Sequence, residues 1–212
     1  MSLNLYLLRH GETTSSQTGG YCGALDPDLT PAGQEMAQAF ANAYGATDWA
    51  AVFVSPMKRT IATATPLCEA AGVVPQQRDG LKEIQYGEWE DRTPAYVQEH
   101  HGKDYTRWMT EPAWNPPTGG ETSVQIANRA NAVIAEIEET YETGNVLVVS
   151  HKATIRIILC SLLGIDLGRY RDRIAMPVAS LSVIKFGRYG PMLQQLGERN
   201  HLPEALRNRA GT

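Results

Sequence analysis

The sequence has few cysteines, no long apolar run and no surplus of basic residues. Its three cysteines, Cys22, Cys68 and Cys160, are widely spaced and form no Cys-x-x-Cys pair, which argues against a disulfide framework or a cysteine zinc site. The formal net charge of -4 at pH 7 argues against nucleic acid as a partner, because binding to its phosphate backbone needs a basic surface. Residues 157–163 form the longest apolar stretch, which is too short to span a bilayer, and residues 3–8 lack the basic leader of a signal peptide. We therefore expect a cytoplasmic protein with free thiols and no membrane partner.

The rest of the composition is typical of a folded α/β domain. The chain has 212 residues, of which 42% are hydrophobic and 20% are charged, and this is enough for one domain with a proper core. Short apolar runs at residues 3–8, 51–54 and 146–149 are typical of strands buried on both faces, and helical segments alternate with them. The sequence thus predicts a single domain over residues 1–212, a three-layer α/β/α sandwich with a mostly parallel central sheet.

Several local signals predict where helices and turns lie. Thr30-Pro31 and Ser55-Pro56 each combine an N-cap residue with a proline at the first helical position, and Pro66 should kink or interrupt the second of these helices. Thr122-Ser123-Val124-Gln125 is typical of a capping box. Residues 180–196 predict a β-hairpin near the C-terminus.

Residues 90–120 differ from the rest of the chain. They are rich in Pro, Trp and Tyr and lack a clear hydrophobic period, which predicts a small, partly helical insertion over one end of the sheet. Its aromatic residues have two interpretations, because aromatic side chains are common in cores as well as in pockets. The insertion is either a lid that touches a ligand or a segment whose aromatics only bury it.

Charged or titratable residues follow three of the predicted strands. The first strand leads into Arg9 and His10, the second into Arg59 and the third into His151. Because parallel strands bring their carboxyl ends to one edge of a sheet, we expect these four side chains to lie together. Guanidinium groups match phosphate oxygens, and imidazoles act as nucleophile, base or donor near neutral pH. No carboxylate cluster suited to Mg²⁺ accompanies them in the sequence, so we expect neither a metal nor another cofactor.

Short motifs in the order typical of one family follow each other along residues 3–160. They are Arg9-His10-Gly11-Glu12-Thr13, residues 23–33, Ser55-Pro56-Met57-Lys58-Arg59-Thr60, Leu81-Lys82-Glu83 with Tyr86-Gly87-Glu88-Trp89-Glu90, Gly119-Gly120-Glu121-Thr122, and Val149-Ser150-His151. Together they resemble the histidine phosphatase superfamily in its phosphoglycerate-mutase-like branch. The resemblance implies an enzyme that acts on a small phosphorylated metabolite through a phosphohistidine and without a metal.

The resemblance also implies a role for each candidate catalytic residue. His10 would be the nucleophile that becomes phosphorylated. Arg9, Arg59 and His151 would bind the phosphoryl oxygens and neutralise charge in the transition state. Glu83 would protonate the leaving oxygen and would then act as the base toward water.

Further candidates for substrate and phosphate binding lie at positions where the sequence partly departs from the family pattern. Ser16 stands where the family often has Asn, and Gly20 and Cys22 stand where it often has Arg and Gln, so contacts made by those side chains are weakened or lost. Gly23 opens the second motif. Lys152 stands where Gly usually follows the second histidine. Its backbone N–H can still bind phosphate at a helix N-terminus, and its ammonium either adds a cation at the pocket mouth or points to solvent.

Three functions fit the motifs, namely a phosphomonoester hydrolase, a phosphoglycerate mutase and a non-catalytic phospholigand-binding module. The third would require a lost catalytic residue, and all five are present. The mutases resembled here carry paired arginines and a lysine in a longer insertion, whereas this insertion has Arg107 alone and Pro94 near the position of the lysine. The sequence therefore favours the hydrolase. The outer strand of the C-terminal hairpin could pair with a second copy, so a homodimer is also open.

Overall fold

A six-stranded sheet forms the centre of the protein. The computed structural model describes residues 2–209 and 211. The strands are β1 (Leu3–Arg9), β2 (Trp49–Val54), β3 (Gln76–Gln77), β4 (Gly144–Ser150), β5 (Leu181–Gly187) and β6 (Gly190–Glu198). Their order across the sheet is β3-β2-β4-β1-β5-β6. β1 to β4 run parallel, whereas β5 and β6 form an antiparallel hairpin beside β1, so the predicted, mostly parallel sheet is confirmed.

Helices follow most of the strands. They are α1 (Thr14–Thr18), α2 (Pro31–Tyr44), α3 (Lys58–Ala71), α4 (Pro94–His100), α5 (Gly102–Thr110), α6 (Ser123–Thr140), α7 (Lys152–Leu163), α8 (Tyr170–Arg173) and α9 (Glu204–Arg207). In the described part of the chain, none of them is long and apolar enough to cross a bilayer.

The sheet is covered on both faces because its strands are apolar on both sides. In β1, Leu5 and Leu7 belong to the cluster that contains the apolar faces of α6 and α7. Leu8 belongs to the opposite cluster, where Phe40 of α2 and Leu67 of α3 pack. These side chains are fully or almost fully buried, and each such burial contributes about 1.5–3 kcal/mol of transfer free energy. The predicted three-layer α/β/α arrangement is therefore confirmed.

The helix starts show where side-chain capping was predicted correctly. Thr30 and Thr122 accept hydrogen bonds from the backbone N–H groups of Gly33 and Gln125, as predicted for N-caps. The predicted start at Ser55-Pro56 is wrong, since α3 begins only at Lys58. α3 also continues through Pro66, so the proline does not interrupt it.

The insertion at residues 90–120 contains α4 and α5 and is partly helical, as predicted. Its aromatic residues have different surroundings. Trp108 is buried and packs edge-on against Trp89, with ring centroids 5.4 Å apart, whereas Trp114 is 71% exposed. Trp108 also lines the cavity described below, so the same side chain packs in a small core and faces the pocket.

Candidate active site

A cavity of about 180 Å³ opens at the carboxyl edge of the parallel strands. The topology explains its place, because β1 and β4 are neighbours and both end here. Six of the predicted site residues line it. They are Arg9, His10, Ser16, Arg59, Glu83 and Lys152. His151 and Gly23 are not among its lining residues.

His10 is held in the tautomer that a nucleophile needs. Its Nδ1 lies 2.8 Å from the carbonyl oxygen of Gly11, and since a carbonyl only accepts, Nδ1 carries the proton. Nε2 therefore keeps its lone pair. Burial, followed by the charges of Arg9 and Arg59, holds the pKa of His10 well below its ordinary value. The imidazole is thus neutral at neutral pH, which is its nucleophilic form.

Arg9 places a buried guanidinium beside this imidazole. One of its terminal nitrogens donates to the carbonyl of Met176 at 2.6 Å, and its buried Nε has no hydrogen-bond partner among the described residues. Burial and the nearby Arg156 lower the pKa of Arg9 to about 9, against the opposing effect of Glu83. Arg9 therefore remains charged at neutral pH and has donors free for an anion in the cavity.

Arg59 and His151 form a hydrogen-bonded chain behind the cavity. Nε of Arg59 donates to Nδ1 of His151 at 3.2 Å, so Nδ1 is the accepting nitrogen. Nε2 must then carry the proton, and it donates to Oγ of Ser55 at 2.8 Å. Burial and the charge of Arg59 keep the pKa of His151 well below its ordinary value, in agreement with a neutral ring.

The hydrogen bonds to Arg59 and Ser55 bear on the predicted phosphate-binding role of His151. Both of its ring nitrogens are occupied by protein groups, and the ring is fully buried. The ring nevertheless lies next to the nucleophile, with the centroids of His10 and His151 5.3 Å apart. To donate to a phosphate, His151 would have to give up its bond from Nε2 to Ser55, or lose the bond from Arg59 and become protonated at Nδ1, so its phosphate-ligand role stays a prediction.

Arg59 also holds the loop that follows α1. Its terminal nitrogens donate to the carbonyls of Leu25 at 2.7 Å and of Gly23 at 3.2 Å, and Asp26 lies 3.5 Å away. A guanidinium has five N–H groups, of which three are used in these bonds and in the bond to His151. The remaining two belong to the terminal nitrogens of a side chain that lines the cavity. Arg59 can therefore hold the loop and bind an anion at once.

Gly23 has a packing role that the sequence analysis did not identify. A Cβ atom at this position would lie 1.8 Å from the carbonyl oxygen of Ile84, so only glycine fits. Its N–H donates to the carboxylate of Glu90 and its carbonyl accepts from Arg59. Gly23 is not among the residues that line the cavity, and its substrate contact stays a prediction.

Glu83 is fixed at the start of α7. One carboxylate oxygen accepts hydrogen bonds from the backbone N–H groups of Ile84 and Thr154, at 3.0 and 3.2 Å, and the other accepts from that of Ala153 at 3.2 Å. Only 7% of Glu83 is exposed, and the exposed part faces the cavity. The carboxyl group is therefore held in one orientation at the wall that also carries His10.

Ser16 lies on α1 and lines the cavity. Its hydroxyl accepts from the backbone N–H of Thr13 at 2.9 Å and donates to the carbonyl of the same residue at 2.8 Å. Ser16 thereby closes the N-terminal turn of α1 as a capping box. Its side chain takes part in the local backbone geometry as well as in the cavity wall.

Two basic side chains of the cavity, Arg156 and Arg171, were not predicted from the sequence. Arg156 follows Lys152 by four residues in α7, and this spacing places both on one helix face. That spacing could have revealed Arg156. Arg171 lies on the short α8, and its guanidinium carbon is 3.6 Å from the ring centroid of Trp108. No periodic pattern in the sequence indicates it.

The lining of the cavity is strongly basic. Five of its side chains are cationic, and Glu83 is the one carboxylate among the lining residues. Within residues 2–209 and 211, no group of three or more His, Cys, Asp or Glu side chains could hold a metal ion. A cationic wall of this kind repels metal ions and attracts phosphate.

The sequence profile of the histidine phosphatase superfamily (branch 1) matches residues 5–199. The chain belongs to this superfamily. A protein of Hydrogenobacter thermophilus named phosphoserine phosphatase 1 is 32% identical over 202 residues, which are 95% of either chain. An acid phosphatase of Mycobacterium tuberculosis is 31% identical over 204 residues, or 93% of either chain. The crystal structure of the alpha-ribazole phosphatase of Shigella flexneri superimposes with a TM-score of 0.84 at 25% identity, covering 92% of this chain and 96% of that one.

The comparisons agree on the class of reaction. These three proteins are all named as phosphatases, which supports a phosphoric monoester hydrolase and gives less support to the mutase. Their names differ in the substrate, so the substrate of this chain has to be argued from its own cavity.

Proposed function

We propose that the chain is a phosphatase that transfers the phosphoryl group of a small phosphorylated metabolite to Nε2 of His10 and then to water. The observation that carries this proposal is the neutral His10, with its Nδ1 proton on Gly11, in the wall of a cavity lined with cations. A nucleophile with a free lone pair and a cationic surrounding for the phosphoryl oxygens are what phosphoryl transfer to nitrogen requires.

In the first step, the lone pair of His10 Nε2 forms a bond to phosphorus while the bond from phosphorus to the ester oxygen breaks. The departing oxygen takes a proton from Glu83, which lies in the same wall. In the second step, water attacks the phosphohistidine, Glu83 takes a proton from that water, and the P–N bond breaks. Orthophosphate leaves, and both His10 and Glu83 return to their initial protonation states.

The arginines stabilise the charge that spreads over the phosphoryl oxygens. Arg9 contributes the terminal N–H groups that its bond to Met176 leaves unused, and Arg59 contributes its two unused N–H groups. His151 supports this arrangement by accepting from Arg59, which fixes the guanidinium relative to the nucleophile. A hydrogen bond of His151 to the phosphoryl group remains a prediction.

The first experiment measures phosphate release and the covalent intermediate together. The purified enzyme is mixed with p-nitrophenyl phosphate, quenched without acid, digested and analysed by mass spectrometry. We expect turnover and a phosphoryl group on His10, and we expect neither in His10→Ala. His100→Ala is the matched control, because His100 is an exposed histidine of the insertion that does not line the cavity, and it should keep both. Labelling of His151 alone would reverse the assignment of the two histidines.

The mutase alternative is tested with 3-phosphoglycerate and a bisphosphoglycerate primer. A hydrolase releases free phosphate, whereas a mutase produces 2-phosphoglycerate. We expect free phosphate to be the main product. Accumulation of 2-phosphoglycerate would instead show that the phosphoenzyme returns its phosphoryl group to the same substrate.

A further inference from the structure

Three cations line the cavity without an ion-pair partner among the described residues. Lys152 and Arg156 project from the first two turns of α7, and Arg171 projects from α8. Within the described residues, none of the three forms an ion pair with a carboxylate, and the buried Nε of Arg156 has no hydrogen-bond partner. Partly buried cations are normally paired, so three unpaired ones on one cavity wall need an explanation.

The charge in the cavity exceeds what one phosphate group can neutralise. The phosphoryl group carries about two negative charges, and the positive charges of Arg9 and Arg59 together neutralise them. Lys152, Arg156 and Arg171 then remain, with Glu83 as the single opposing carboxylate of the lining. Burial, followed by the charges of Arg9 and Arg156, lowers the pKa of Lys152 to about 8. The cluster formed by Lys152, Arg156 and Arg171 is therefore destabilised by repulsion between its positive charges until an anion binds.

The cluster is also built to keep its shape. The guanidinium of Arg171 lies over the ring of Trp108 at 3.6 Å, and Trp108 is buried among the aromatics of the insertion. Arg156 lies on α7, one turn after Lys152. A side chain held as that of Arg171 is loses little conformational freedom when it binds a ligand, which favours specific recognition.

We propose that Lys152, Arg156 and Arg171 form a second anion-binding subsite and that the substrate is a small phosphomonoester with a second anionic group. The second group is a carboxylate or another phosphate, since both present oxygens that match guanidinium donors. The cavity of about 180 Å³ fits a compact molecule in which the two groups are a few bonds apart. This inference rests on the proposed function, because it identifies the substrate class of the same site.

Binding is measured on His10→Ala, which cannot form the phosphoenzyme, by isothermal titration with matched ligands. 3-Phosphoglycerate and glycerol 3-phosphate differ in that a carboxylate replaces a hydroxymethyl group. Fructose 1,6-bisphosphate and fructose 6-phosphate differ by one phosphate. We expect at least one doubly anionic ligand to bind about tenfold more tightly than its partner, as a charge-assisted hydrogen bond predicts. The pair that shows the preference identifies the second group.

The ratio of the dissociation constants of the two ligands in a pair is then measured after Arg156→Gln and after Arg171→Gln. Each change should reduce the ratio at least about fivefold, because it removes one of the donors to the second anion. Arg173→Gln is the matched control, since Arg173 lies on α8 as well but is exposed and does not line the cavity. It should leave the ratio unchanged. Arg156→Lys and Arg171→Lys serve as further variants if a glutamine variant does not fold, as judged by circular dichroism.

Two outcomes would overturn the subsite. Either both ligand pairs bind with ratios near one, or the ratio survives the loss of Arg156 and of Arg171. Failure of the proposed function is a separate result, because it would appear as absent phosphate release from p-nitrophenyl phosphate by the unmodified enzyme. The binding ratios can be measured in either case.

Discussion

Replacing Arg59 by lysine keeps the positive charge and removes the planar fork. In the structure, the guanidinium donates to three acceptors, namely the buried carbonyl of Gly23, the buried Nδ1 of His151 and the partly buried carbonyl of Leu25. An ammonium has three donors on one nitrogen and cannot reach all of these acceptors and a phosphoryl group at once. Arg59→Lys should therefore loosen the loop after α1 and weaken phosphate binding together.

The size of the effect follows from the lost contacts. A buried acceptor left without its donor costs about 1–3 kcal/mol, so the loss of one or two of them destabilises the protein by about 2 kcal/mol or more. A loss of about 2 kcal/mol lowers Tm by about 4–8 °C in a domain of this size. Loss of the bidentate grip on the phosphoryl group should reduce kcat/KM by more than about tenfold, or more than about 1.4 kcal/mol of transition-state stabilisation.

The assay combines steady-state kinetics on p-nitrophenyl phosphate with thermal unfolding. Arg78→Lys is the control, because Arg78 forms a partly exposed ion pair with Glu136 and does not line the cavity. We expect that control to keep its activity. If Arg59→Lys lowers Tm but retains kcat/KM within about twofold of the unmodified enzyme, Arg59 only holds the loop and the phosphate-binding role is refuted.

Three more predictions concern the metal, the general acid and the pH dependence of stability. Prolonged EDTA treatment should leave turnover intact, because the cavity is lined by cations and one carboxylate, and activity that returns only with Mg²⁺ would contradict this. Glu83→Gln should slow phosphorylation by alkyl phosphates by a factor of about 10²–10⁴ and by p-nitrophenyl phosphate far less, because nitrophenoxide leaves without a proton. Equal losses in single-turnover kinetics would exclude Glu83 as the leaving-group acid. Both His10 and His151 are buried with lowered pKa values, so below about pH 6.5 the unfolded chain binds protons that the folded one does not. As the pH is lowered through that range, the free energy of unfolding measured in urea should fall by up to about 1.4 kcal/mol per pH unit for each of the two histidines. The fall per pH unit should be smaller in His10→Gln. An equal fall in both proteins would show that His10 is already protonated in the folded enzyme.

The sequence predicted the meeting of Arg9, His10 and Arg59 because one rule governs it. Apolar runs that are buried on both faces become parallel strands, and parallel strands deliver their next residues to one edge. β1 and β4 follow that rule, because they are parallel and their register pairs Arg9 with Ser150 at the same edge of the sheet. The spacing of chemical groups along the chain was therefore enough to predict the edge on which the site lies.

The surroundings of each side chain could not be predicted in the same way. Ser55 was expected to cap a helix, yet its hydroxyl accepts from His151, which stands 96 residues further along the chain. No local pattern encodes such a contact, because it depends on how two strand ends are oriented after packing. Gly23 is a similar case, since the need for glycine arises from the distant carbonyl of Ile84.

Arg156 and Arg171 line the same cavity, but local helix geometry places the first and tertiary packing places the second. Arg156 lies one helical turn after Lys152, so its place on the cavity wall follows from local geometry once the start of α7 is known. Arg171 reaches the same wall from a four-residue helix, and its guanidinium is held over a tryptophan of the insertion. Its place therefore depends on the packing of the insertion against α8. Arg9 and His10 lie at the end of β1 and Arg59 in the first turn of α3, whereas the residues proposed to select the substrate lie on α7 and α8. α7 serves both groups of residues, because the N–H groups of Ala153 and Thr154 in its first turn also hold the carboxylate of Glu83.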